Sequence, residues 1–470
     1  MSMRRTKIVA TIGPASRDPE TLARMVEAGL DVARLNFSHG SREEHAETIG
    51  RVRDASSRAG RQVAVLQDLP GPKLRIGRVR DDIAELAAGD RLILSTGSDE
   101  EGDQGRLSVS WGGLAAAVGP GEIIYLADGA VRLRVESVDE DRGQITTMIE
   151  VGGAVASRQG LNVPGGLESL ASVPEDDLDL LRFGESIGVD MVALSFVRRA
   201  EDIDSVRSHT RLPLVAKIEK PQAVAEIGAI LRATDCAMVA RGDLGIELPI
   251  AEVPIVQKRV IALCGELARP VITATQMLDS MVRSPRPTRA EVADVANAIL
   301  DGTDALMLSA ETAVGDHPVG AIAMMASIAD ETEKVLPHEQ WTEHRVRRGS
   351  RDPAYTVAHS ACKAASELGL AAIVVPTLSG RSARLVSAHR PNVPICVLSP
   401  GRETVRRCGL MWGVQAARMD RHEVTEELIA DAARRVVELG WVPHGERVAI
   451  TAGLPSGRPG TTSLLQIQEV

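Results

Sequence analysis

Lysine, cysteine and long apolar runs are all scarce in this chain of 470 residues. No apolar run approaches the roughly 20 residues that a membrane-spanning helix needs, and Arg4 and Arg5 lead straight into a predicted strand, which argues against a membrane protein or an exported one. The five cysteines show no CxxC spacing. They are therefore expected to be buried, reduced thiols of a cytoplasmic protein, and not a disulfide framework or a metal site.

Most of the positive charge is carried by arginine. Lysine occurs at only seven positions, which suggests that a lysine here is used for its compact charge and not as surface filler. The net charge of −10 argues against a nucleic-acid surface, although one focused cationic site could still bind an anion. The length is enough for about three domains with a large core.

The stretch 212–245 predicts a strand, a helix and a second strand. Two short apolar runs flank a segment with apolar residues at helical spacing. The first run ends in Lys217 and Glu219, and the second ends in Arg241 and Asp243. Because polar side chains appear at the carboxyl ends of buried parallel strands, both runs are expected to deliver their charges to one rim.

These charges suit a magnesium site beside a phosphate. Glu219 and Asp243 offer hard oxygen ligands in the number that Mg²⁺ usually takes from a protein. Lys217 lies two residues before Glu219, so both side chains point to the same face of a strand. An ammonium group beside a metal suits a substrate that carries phosphate. For Lys217 and Glu219 alone, a structural ion pair is the alternative, and the repetition of charge at strand ends favours the site.

Eight predicted strands and eight predicted helices outside one insertion favour an α/β fold of the (β/α)8 TIM barrel type. Every predicted strand ends in polar residues, which describes an active-site face. These ends are Thr11, Arg34 with Asn36, Asp68, Ser195, Lys217 with Glu219, Arg241 with Asp243, Thr275 with Gln276, and Ser309 with Glu311. The pattern Ser-x-x-Glu at Ser41 and Glu44 predicts a capping box at the start of one barrel helix, and Thr288 with Glu291 predicts another.

The residue pattern of 72–166 differs from that of the predicted barrel segments 1–71 and 167–340. Short β-rich runs alternate there with Gly and Asp turns, which predicts an inserted β-barrel-like domain. Prolines and glycines at both ends bracket it like two hinges, so it is expected to act as a lid. A rigid insertion fits the same spacing.

Residues 351–470 predict a C-terminal α/β regulatory domain after a charged linker. One loop between a strand and a helix is rich in hydroxyl groups and backbone amides that favour phosphate: Thr377, Ser379, Gly380, Arg381 and Ser382. An ordinary loop with a helix N-cap is the alternative. The segment GLPSGRPGTTS at 453–463 is a candidate second wall of that pocket.

Six long strings resemble the pyruvate kinase family, in the family's order and across nearly the whole chain. They are KIVATIGPAS, DVARLNFSHG, VAKIEKPQAV, MVARGDLGIELP, TATQMLDSM and RPTRAEVADVANAILDGTDALMLSAET. The resemblance implies a barrel, an inserted lid, a C-terminal regulatory domain and a homotetramer. It also implies the last step of glycolysis, in which phosphoenolpyruvate and ADP give pyruvate and ATP.

The same resemblance implies roles for single residues. Lys217 resembles the lysine that meets the transferring phosphoryl group and the developing enolate, where charge and positioning dominate catalysis. Glu219 and Asp243 resemble the Mg²⁺ ligands, and Arg34 resembles the phosphate-binding arginine, whose fork suits a phosphoryl group. The resemblance implies that the backbone at Gly242 and Asp243, together with Thr275, binds the substrate carboxylate. It makes Thr275 and Ser309, acting through a water, candidates for the proton donor. It also implies that Asn36, His39 and Arg75 bind the nucleotide with its second Mg²⁺.

The chain departs from the family's pattern at the potassium site. Four groups match that site: Asn36, Ser38, Asp68 and the carbonyl of Leu69. However, Lys73 stands where members that require K⁺ carry Glu, and Leu69 and Ile76 also resemble the K⁺-independent subgroup. The hypothesis is that the Lys73 ammonium supplies the charge that K⁺ supplies elsewhere. A second departure is Gln159, with Arg158 beside it, in place of a lysine of the lid.

Two other classes of function remain open at this stage. A Mg²⁺-dependent aldolase or lyase would use the same Glu and Asp pair to hold an enolate, and release of pyruvate that depends on ADP separates it from a kinase. A catalytically silent scaffold or effector-binding protein is disfavoured because Lys217, Glu219, Asp243, Arg34 and Thr275 are all intact. The composition of the C-terminal pocket suggests a sugar phosphate or AMP as effector.

Overall fold

The structure, a computed structural model, describes residues 4–72, 74–164, 171–344, 352–453 and 462–470. Its first part alternates strands and helices: β1 (Lys7–Thr11), α1 (Pro19–Ala28), β2 (Val32–Asn36), α2 (Arg42–Arg58) and β3 (Ala64–Asp68). The predicted capping box of Ser41 and Glu44 is present at the start of α2. It satisfies amide groups that the first turn of a helix would otherwise leave unpaired.

A separate set of strands follows β3. It comprises β4 (Leu74–Arg75), β5 (Ile83–Leu86), β6 (Arg91–Thr96), β7 (Arg106–Val109), the short helix α3 (Leu114–Ala117), β8 (Ile123–Leu126), β9 (Val131–Asp139), β10 (Gln144–Val151), β11 (Gly153–Ala156) and β12 (Gly160–Asn162). Seven of these strands form a sheet in the order β4-β12-β8-β9-β10-β6-β7, and β5 pairs with β11. This part has a hydrophobic core of its own, as expected of an independent module. The limits 72–166 that were predicted for this inserted domain remain a prediction.

The barrel pattern then resumes and continues to residue 333. Its elements are α4 (Glu175–Ser186), β13 (Met191–Leu194), α5 (Ala200–Arg207), β14 (Leu214–Ile218), α6 (Pro221–Ala225), α7 (Ile227–Ala233), β15 (Cys236–Ala240), α8 (Arg241–Glu247), α9 (Val253–Glu266), β16 (Val271–Ala274), α10 (Arg289–Asp301), β17 (Ala305–Leu308), α11 (Ala310–Ala313) and α12 (Pro318–Glu333). The single helix predicted between β14 and β15 is in fact two pieces, α6 and α7. The capping box of Thr288 and Glu291 starts α10 as predicted.

Eight parallel strands close into a barrel in the order β1-β17-β16-β15-β14-β13-β3-β2, which confirms the predicted fold class. Side chains on one face of the strands pack with each other inside the barrel, and those on the other face pack against the helices. Because all strands run in the same direction, their carboxyl ends share one mouth of the barrel.

The C-terminal part forms a second sheet. It comprises α13 (His338–His344), α14 (Pro353–Leu368), β18 (Ala372–Pro376), α15 (Arg381–Ala388), β19 (Ile395–Ser399), α16 (Arg402–Arg407), β20 (Val414–Arg418), α17 (Thr425–Glu438), β21 (Arg447–Gly453) and β22 (Thr462–Glu469). The sheet order is β20-β19-β18-β21-β22, and only β22 is antiparallel to its neighbour. Helix α13 lies in the segment that was predicted to be a linker. None of the described helices is long and apolar enough to cross a bilayer.

The C-terminal domain packs against the amino ends of the barrel strands. The Lys7 ammonium at the start of β1 donates a hydrogen bond to the Val414 carbonyl at 2.8 Å, and Leu410 belongs to the hydrophobic cluster inside the barrel. Trp412 is buried, with the guanidinium of Arg390 4.8 Å and that of Arg5 5.5 Å from its ring centroid. The domain therefore closes the end of the barrel opposite the predicted active-site mouth.

Candidate active site

Lys217 lies at the centre of a buried polar cluster at the carboxyl ends of the strands. Its ammonium is 2.8 Å from a carboxylate oxygen of Glu219 and 3.3 Å from one of Asp68. It also donates a hydrogen bond to the Ser195 hydroxyl at 2.7 Å. The structure thus brings together three neighbouring strand ends, from β3, β13 and β14, as the sequence predicts for a single rim.

The charges in this cluster shift each other's protonation. Burial by itself would lower the pKa of the Lys217 ammonium, but the carboxylates of Asp68, Glu219 and Asp243 raise it above its ordinary value. Burial would raise the pKa of Asp68, yet Lys217 and Arg34 hold it below its ordinary value. Lys217 is therefore a permanent cation at neutral pH, and Asp68 a permanent anion.

Glu219 behaves differently from Asp68. Burial raises the pKa of its carboxyl group, and the negative charge of Asp243 adds to this effect, while Lys217 only partly offsets it. One of its oxygens accepts a hydrogen bond from the Phe196 amide at 2.8 Å. Because burial and the charge of Asp243 both disfavour the ionised form of Glu219, a further cation beside Glu219 and Asp243 would stabilise that form.

The donor set fits Mg²⁺. Carboxylate oxygens of Glu219 and Asp243 are hard ligands, and Mg²⁺ typically takes one or two of them and completes its shell with water and substrate oxygens. Residues 4–72, 74–164, 171–344, 352–453 and 462–470 contain no group of three or more His, Cys, Asp and Glu side chains arranged to hold a metal ion. A dedicated all-protein metal cage is thus absent from these ranges, whereas a two-carboxylate site is compatible with them.

Arg34 on β2 is anchored by two neighbours. Its Nε is 2.6 Å from a carboxylate oxygen of Asp68, and its Nη1 donates to the Thr11 hydroxyl at 2.9 Å. The side chain is held beside Lys217 through their common partner, Asp68. Two cations in fixed positions at one mouth create a local site for a phosphoryl group despite the negative net charge of the chain.

Thr275 follows β16 in a left-handed backbone conformation, with φ +69°, and so does Gln276, with φ +54°. Such values are unfavourable for a β-branched residue and occur mainly at functional sites. The Thr275 hydroxyl accepts a hydrogen bond from the Gly242 amide at 2.7 Å. Arg241 supports this turn, since its Nη2 donates to the Thr275 carbonyl at 2.8 Å and its Nη1 is 2.7 Å from Asp294.

Ser309 is at the end of β17, and its amide donates to a carboxylate oxygen of Glu311 at 2.7 Å. Glu311 is buried, which raises the pKa of its carboxyl group. It also accepts a hydrogen bond from the Leu278 amide at 3.1 Å. Glu311 therefore ties the turn after β17 to the segment that follows Thr275, and its role here is to position backbone.

The four groups of the predicted potassium site lie on adjacent strand ends. Asn36 on β2 is the register partner of Asp68 on β3, and the Asn36 side chain accepts a hydrogen bond from the Ser38 amide at 3.1 Å. The Leu69 carbonyl accepts a hydrogen bond from Ser195 at 2.8 Å. Lys73, the residue on which the K⁺ hypothesis depends, lies outside the described residues.

Of the three predicted nucleotide residues, Asn36 is beside Asp68, whereas His39 and Arg75 lie on a turn and on the inserted sheet. His39 is exposed in the turn after β2, where its amide donates to the Asn36 carbonyl at 3.2 Å. Arg75 is on β4 of the inserted sheet, and its Nη1 donates to the Arg158 carbonyl at 3.0 Å. The Gln159 side chain accepts a hydrogen bond from the Ala156 amide at 2.8 Å, so it closes its own turn.

The predicted effector loop turns at Gly380, between β18 and α15. Gly380 has φ +82°, which favours glycine, and its amide donates to the Thr377 hydroxyl at 3.1 Å. Arg381 pairs with Asp352, and the Ser382 hydroxyl is 2.6 Å from that of Thr462. Ser379 completes the loop. Most of the predicted second wall, residues 454–461, lies outside the described residues.

Three supporting contacts were not predicted. Ser195 was recognised only as a polar strand end, although it bonds both Lys217 and the Leu69 carbonyl. The hydrogen bond from the Phe196 amide to Glu219 and those from Arg241 to the turn at Thr275 were also not predicted. The direction of a backbone amide and the position of a left-handed turn leave no clear signal in a single sequence. Glycines or asparagines often mark such turns, but these positions carry Phe, Thr and Gln.

Comparisons with known proteins match nearly the whole chain to one family. The family model described as pyruvate kinase, barrel domain, matches residues 3–322, and the model described as pyruvate kinase, alpha/beta domain, matches residues 355–468. The pyruvate kinase of Geobacillus stearothermophilus is 44% identical, over 99% of this chain and 80% of the relative. That of Bacillus licheniformis is 43% identical, over 100% of this chain and 81% of the relative, and that of Staphylococcus aureus (strain USA300) is 41% identical over the same shares.

Proposed function

This chain belongs to the pyruvate kinase family, and we propose how its residues divide the work of the family's reaction. The enzyme transfers the phosphoryl group of phosphoenolpyruvate to ADP, which gives pyruvate and ATP in glycolysis, and the family uses Mg²⁺. The observation that supports our assignment most strongly is the Lys217 ammonium between Asp68, Glu219 and Ser195 at the mouth of the barrel.

Lys217 stabilises negative charge and does not transfer a proton. Its pKa is raised above an already high ordinary value, so it keeps its proton throughout the reaction. Its fixed charge would face the transferring phosphoryl group and then the enolate, where preorganised charge lowers the barrier most. Mg²⁺ held by Glu219 and Asp243 would supply divalent charge that polarises the substrate oxygens. Protonation of the enolate carbon therefore falls to a water held by Thr275 or Ser309.

Arg34 would bind the phosphoryl group. Asp68 and Thr11 occupy its Nε and Nη1, and its Nη2 makes no hydrogen bond with any residue that the structure describes. Guanidinium groups held in this way present N–H donors in a fixed plane, which matches phosphoryl oxygens. Asp68 therefore orients both Arg34 and Lys217 without touching the substrate.

Gly242, Asp243 and Thr275 would bind the substrate carboxylate. The Gly242 amide donates to the Thr275 hydroxyl, which itself donates to the Ala274 carbonyl at 2.6 Å. A substrate carboxylate would replace the hydroxyl as acceptor of the amide and the Ala274 carbonyl as acceptor of the hydroxyl proton. The hydrogen bond from Arg241 to the Thr275 carbonyl holds the strained turn in place while this exchange of partners occurs. Strain that is held by the surrounding structure costs nothing further at the moment of binding.

The nucleotide and monovalent-cation sites rest on the family pattern. Asn36, His39 and Arg75 would meet the nucleotide and its Mg²⁺, and the inserted domain would close over it as a lid. The site of Asn36, Ser38, Asp68 and the Leu69 carbonyl would need no K⁺, because the Lys73 ammonium would supply the charge. A cytoplasmic homotetramer with a sugar phosphate or AMP at the loop of Thr377, Ser379, Gly380, Arg381 and Ser382 completes the proposal.

The test is a coupled assay of pyruvate formation with Lys217→Met. The variant is expected to lose at least about a hundredfold in kcat, since it removes the central charge of the transition state. Lys258→Met is the matched control, because its exposed ammonium pairs with Asp301 on the outer helices. Equal loss in both variants, or unchanged turnover in Lys217→Met, would reject the assignment. In the same assay the parent enzyme is expected to be equally active with and without K⁺, and a large stimulation by K⁺ would reject the role of Lys73.

A further inference from the structure

A buried ion pair that takes no part in the proposed reaction lies beside the catalytic mouth. The Lys220 ammonium is 2.5 Å from a carboxylate oxygen of Glu247, and only 11% of the Lys220 side chain and 1% of the Glu247 side chain are exposed. Lys220 directly follows Glu219, and Glu247 is the last residue of α8, which also carries Asp243. The pair therefore joins the two elements that carry the proposed Mg²⁺ ligands.

The pair runs in parallel with those two ligands. Glu219 and Lys220 are adjacent in the segment that follows β14. Asp243 and Glu247 are about one turn apart on α8, so they lie on the same side of the helix. The contact between Lys220 and Glu247 limits how far α8 can shift from the end of β14. It thereby also limits how far Asp243 can move from Glu219.

Stability alone does not account for this ion pair. The free energy needed to take two charges out of water can exceed what their attraction returns. In addition, Oε2 of Glu247 is buried and makes no hydrogen bond with any residue in the described parts of the chain, which adds a further cost. The best-attested use of such a pair is to fix the relative position of two elements.

Lys220 has a second contact, with the ring of Phe196. Its ammonium is 5.3 Å from the ring centroid, which is within the range of a cation–π interaction. The amide of Phe196 donates a hydrogen bond to Glu219 at 2.8 Å. Lys220 therefore supports the residue that orients one metal ligand and, through Glu247, the helix that carries the other.

The two ligands need such support because they repel each other. The negative charge of Asp243 acts on Glu219 across the site, and before the metal binds no divalent cation compensates these two charges. Two carboxylates that were free to move would separate, and the metal would then have to draw them together at a cost in affinity. A contact that is already formed in the fold removes this cost from the binding step.

We propose that Lys220 is a positioning residue that sets the affinity of this site for its divalent cation. It holds the helix of Asp243 to the strand end of Glu219, and its own ammonium is committed to Glu247 and touches neither metal nor substrate. The inference rests on the proposed role of Glu219 and Asp243 as Mg²⁺ ligands.

The experiment is a titration of the full chain with Mn²⁺ in the absence of substrates, in which electron paramagnetic resonance measures the free ion. Mn²⁺ takes the same oxygen ligands as Mg²⁺. The test variant is double, Lys220→Met with Glu247→Met, because removal of one partner alone would leave a buried charge unpaired. Its affinity for Mn²⁺ is expected to fall at least about tenfold, as is usual when a residue that supports metal ligands is lost.

Two further measurements separate positioning from a general effect on the fold. Lys258→Met removes the ammonium of another ion pair, the one with Asp301 on the outer helices, and should leave the affinity for Mn²⁺ unchanged. In the double variant, the Mg²⁺ concentration that gives half-maximal pyruvate formation should rise. Its kcat at saturating Mg²⁺ should stay close to that of the parent, because the ligands and Lys217 are all retained.

Asp243→Asn distinguishes failure of this inference from failure of the proposed function. It removes a ligand and should abolish most of the Mn²⁺ binding. If it does so while the double variant binds Mn²⁺ as tightly as the parent, the role of Lys220 is wrong and the ligands stand. If Asp243→Asn binds as tightly as the parent, or the parent binds no Mn²⁺, the ligand assignment is wrong and the inference falls with it. An equal loss of affinity in Lys258→Met would overturn the inference alone.

Discussion

At the residue scale, Ser195 and Phe196 connect the catalytic charges to the entry of the inserted domain. The Ser195 hydroxyl accepts a hydrogen bond from Lys217 and donates one to the Leu69 carbonyl, while the Phe196 amide holds Glu219. Phe196 has φ +57°, which is unusual for a bulky residue. Two adjacent residues therefore fix an ammonium, a carboxylate and the start of the connection to β4.

Gly71 packs directly against this pair, and its replacement by alanine tests the contact. An added Cβ would lie 2.7 Å from Cδ2 of Phe196 and 2.9 Å from Cβ of Ser195. Gly71→Ala is therefore expected to lower the free energy of unfolding by about 1–3 kcal/mol beyond the backbone cost, and to reduce kcat because Lys217 and Glu219 move. Urea denaturation and the pyruvate assay measure the two effects.

Gly60 provides the matched control for that prediction. Its φ of +61° resembles the +69° of Gly71, but an added Cβ would meet nothing within 4 Å. Gly60→Ala should thus show only the cost of the left-handed backbone, about 1 kcal/mol, with normal turnover. If the two variants behave alike, the contact of Gly71 with Ser195 and Phe196 has no influence on the site.

At the element scale, helix α4 holds the connection between the barrel and the inserted sheet. Asp177 in its first turn is buried and accepts a hydrogen bond from the Gly71 amide at 2.9 Å. Burial raises the pKa of Asp177 to about 6, against the hydrogen bond from the Gly71 amide, which lowers it. The charges of Asp176 and Asp68 raise it further, and Lys217 lowers it. The first bend of the proposed lid is thus attached to a carboxyl group that titrates near neutral pH.

This attachment predicts a pH-dependent stability. Because the pKa of Asp177 is higher in the folded than in the unfolded protein, the folded state binds this proton more tightly, and the contribution of Asp177 to the free energy of unfolding falls as the pH rises from about 4 to about 6. Asp177→Asn keeps an acceptor for Gly71 and cannot ionise. Its stability relative to the parent should therefore increase with pH across this window, as measured by urea denaturation.

The exposed neighbour Asp176 is the control. Asp176→Asn removes one charge from the same turn without touching the Gly71 amide. Because burial and not Asp176 is the main cause of the raised pKa of Asp177, the stability of this variant should change with pH in nearly the same way as that of the parent. Parallel curves for Asp177→Asn as well would contradict the prediction. A steeper fall for Asp177→Asn than for the parent would have the wrong sign and would also contradict it.

The elements that the sequence predicted well are those with strong local signals. The capping boxes of α2 and α10 follow from Ser41 with Glu44 and Thr288 with Glu291, and the buried strands follow from short apolar runs. The break between α6 and α7 and the helix α13 were not predicted. Apolar residues keep helical spacing across the first break, and α13 consists mostly of polar and charged residues, so the nearby Gly228 and Pro337 did not by themselves mark the boundaries.

At the scale of the whole molecule, charged residues join the C-terminal domain to the barrel. Asp190, just before β13, is almost fully buried and pairs with Arg53 of α2 at 2.7 Å and with Arg406 of α16 at 2.6 Å. It also accepts a hydrogen bond from the Val65 amide at 2.8 Å. One carboxylate therefore connects a barrel strand, a barrel helix and the C-terminal domain.

Removal of the C-terminal partner should weaken this connection. Arg406→Met is expected to lower the free energy of unfolding by about 1–3 kcal/mol, since Asp190 keeps Arg53 and Val65 but loses one charged partner. Arg402→Met, four residues earlier on the same helix and exposed, should change it by less than about 0.5 kcal/mol. Denaturation followed by circular dichroism measures both, and equal effects would contradict a specific role of Arg406.

The sequence predicted the fold class and the charged strand ends better than the arrangement between domains. Eight polar strand ends in succession predict a single active-site mouth, because the carboxyl ends of parallel barrel strands lie at the same end of the barrel. By contrast, the contacts of Asp190 with Arg406 and of Arg390 with Gly302 join residues that are more than 80 positions apart. No local pattern marks such pairs.

The scarcity of aromatic residues gives Trp412 a practical use. Its indole ring is buried between the two domains, close to the guanidinium groups of Arg5 and Arg390. With only four tryptophans in the chain, the intrinsic emission spectrum contains few overlapping contributions, and a shift to longer wavelength on solvent exposure of this ring would report separation of the domains optically, without any added dye.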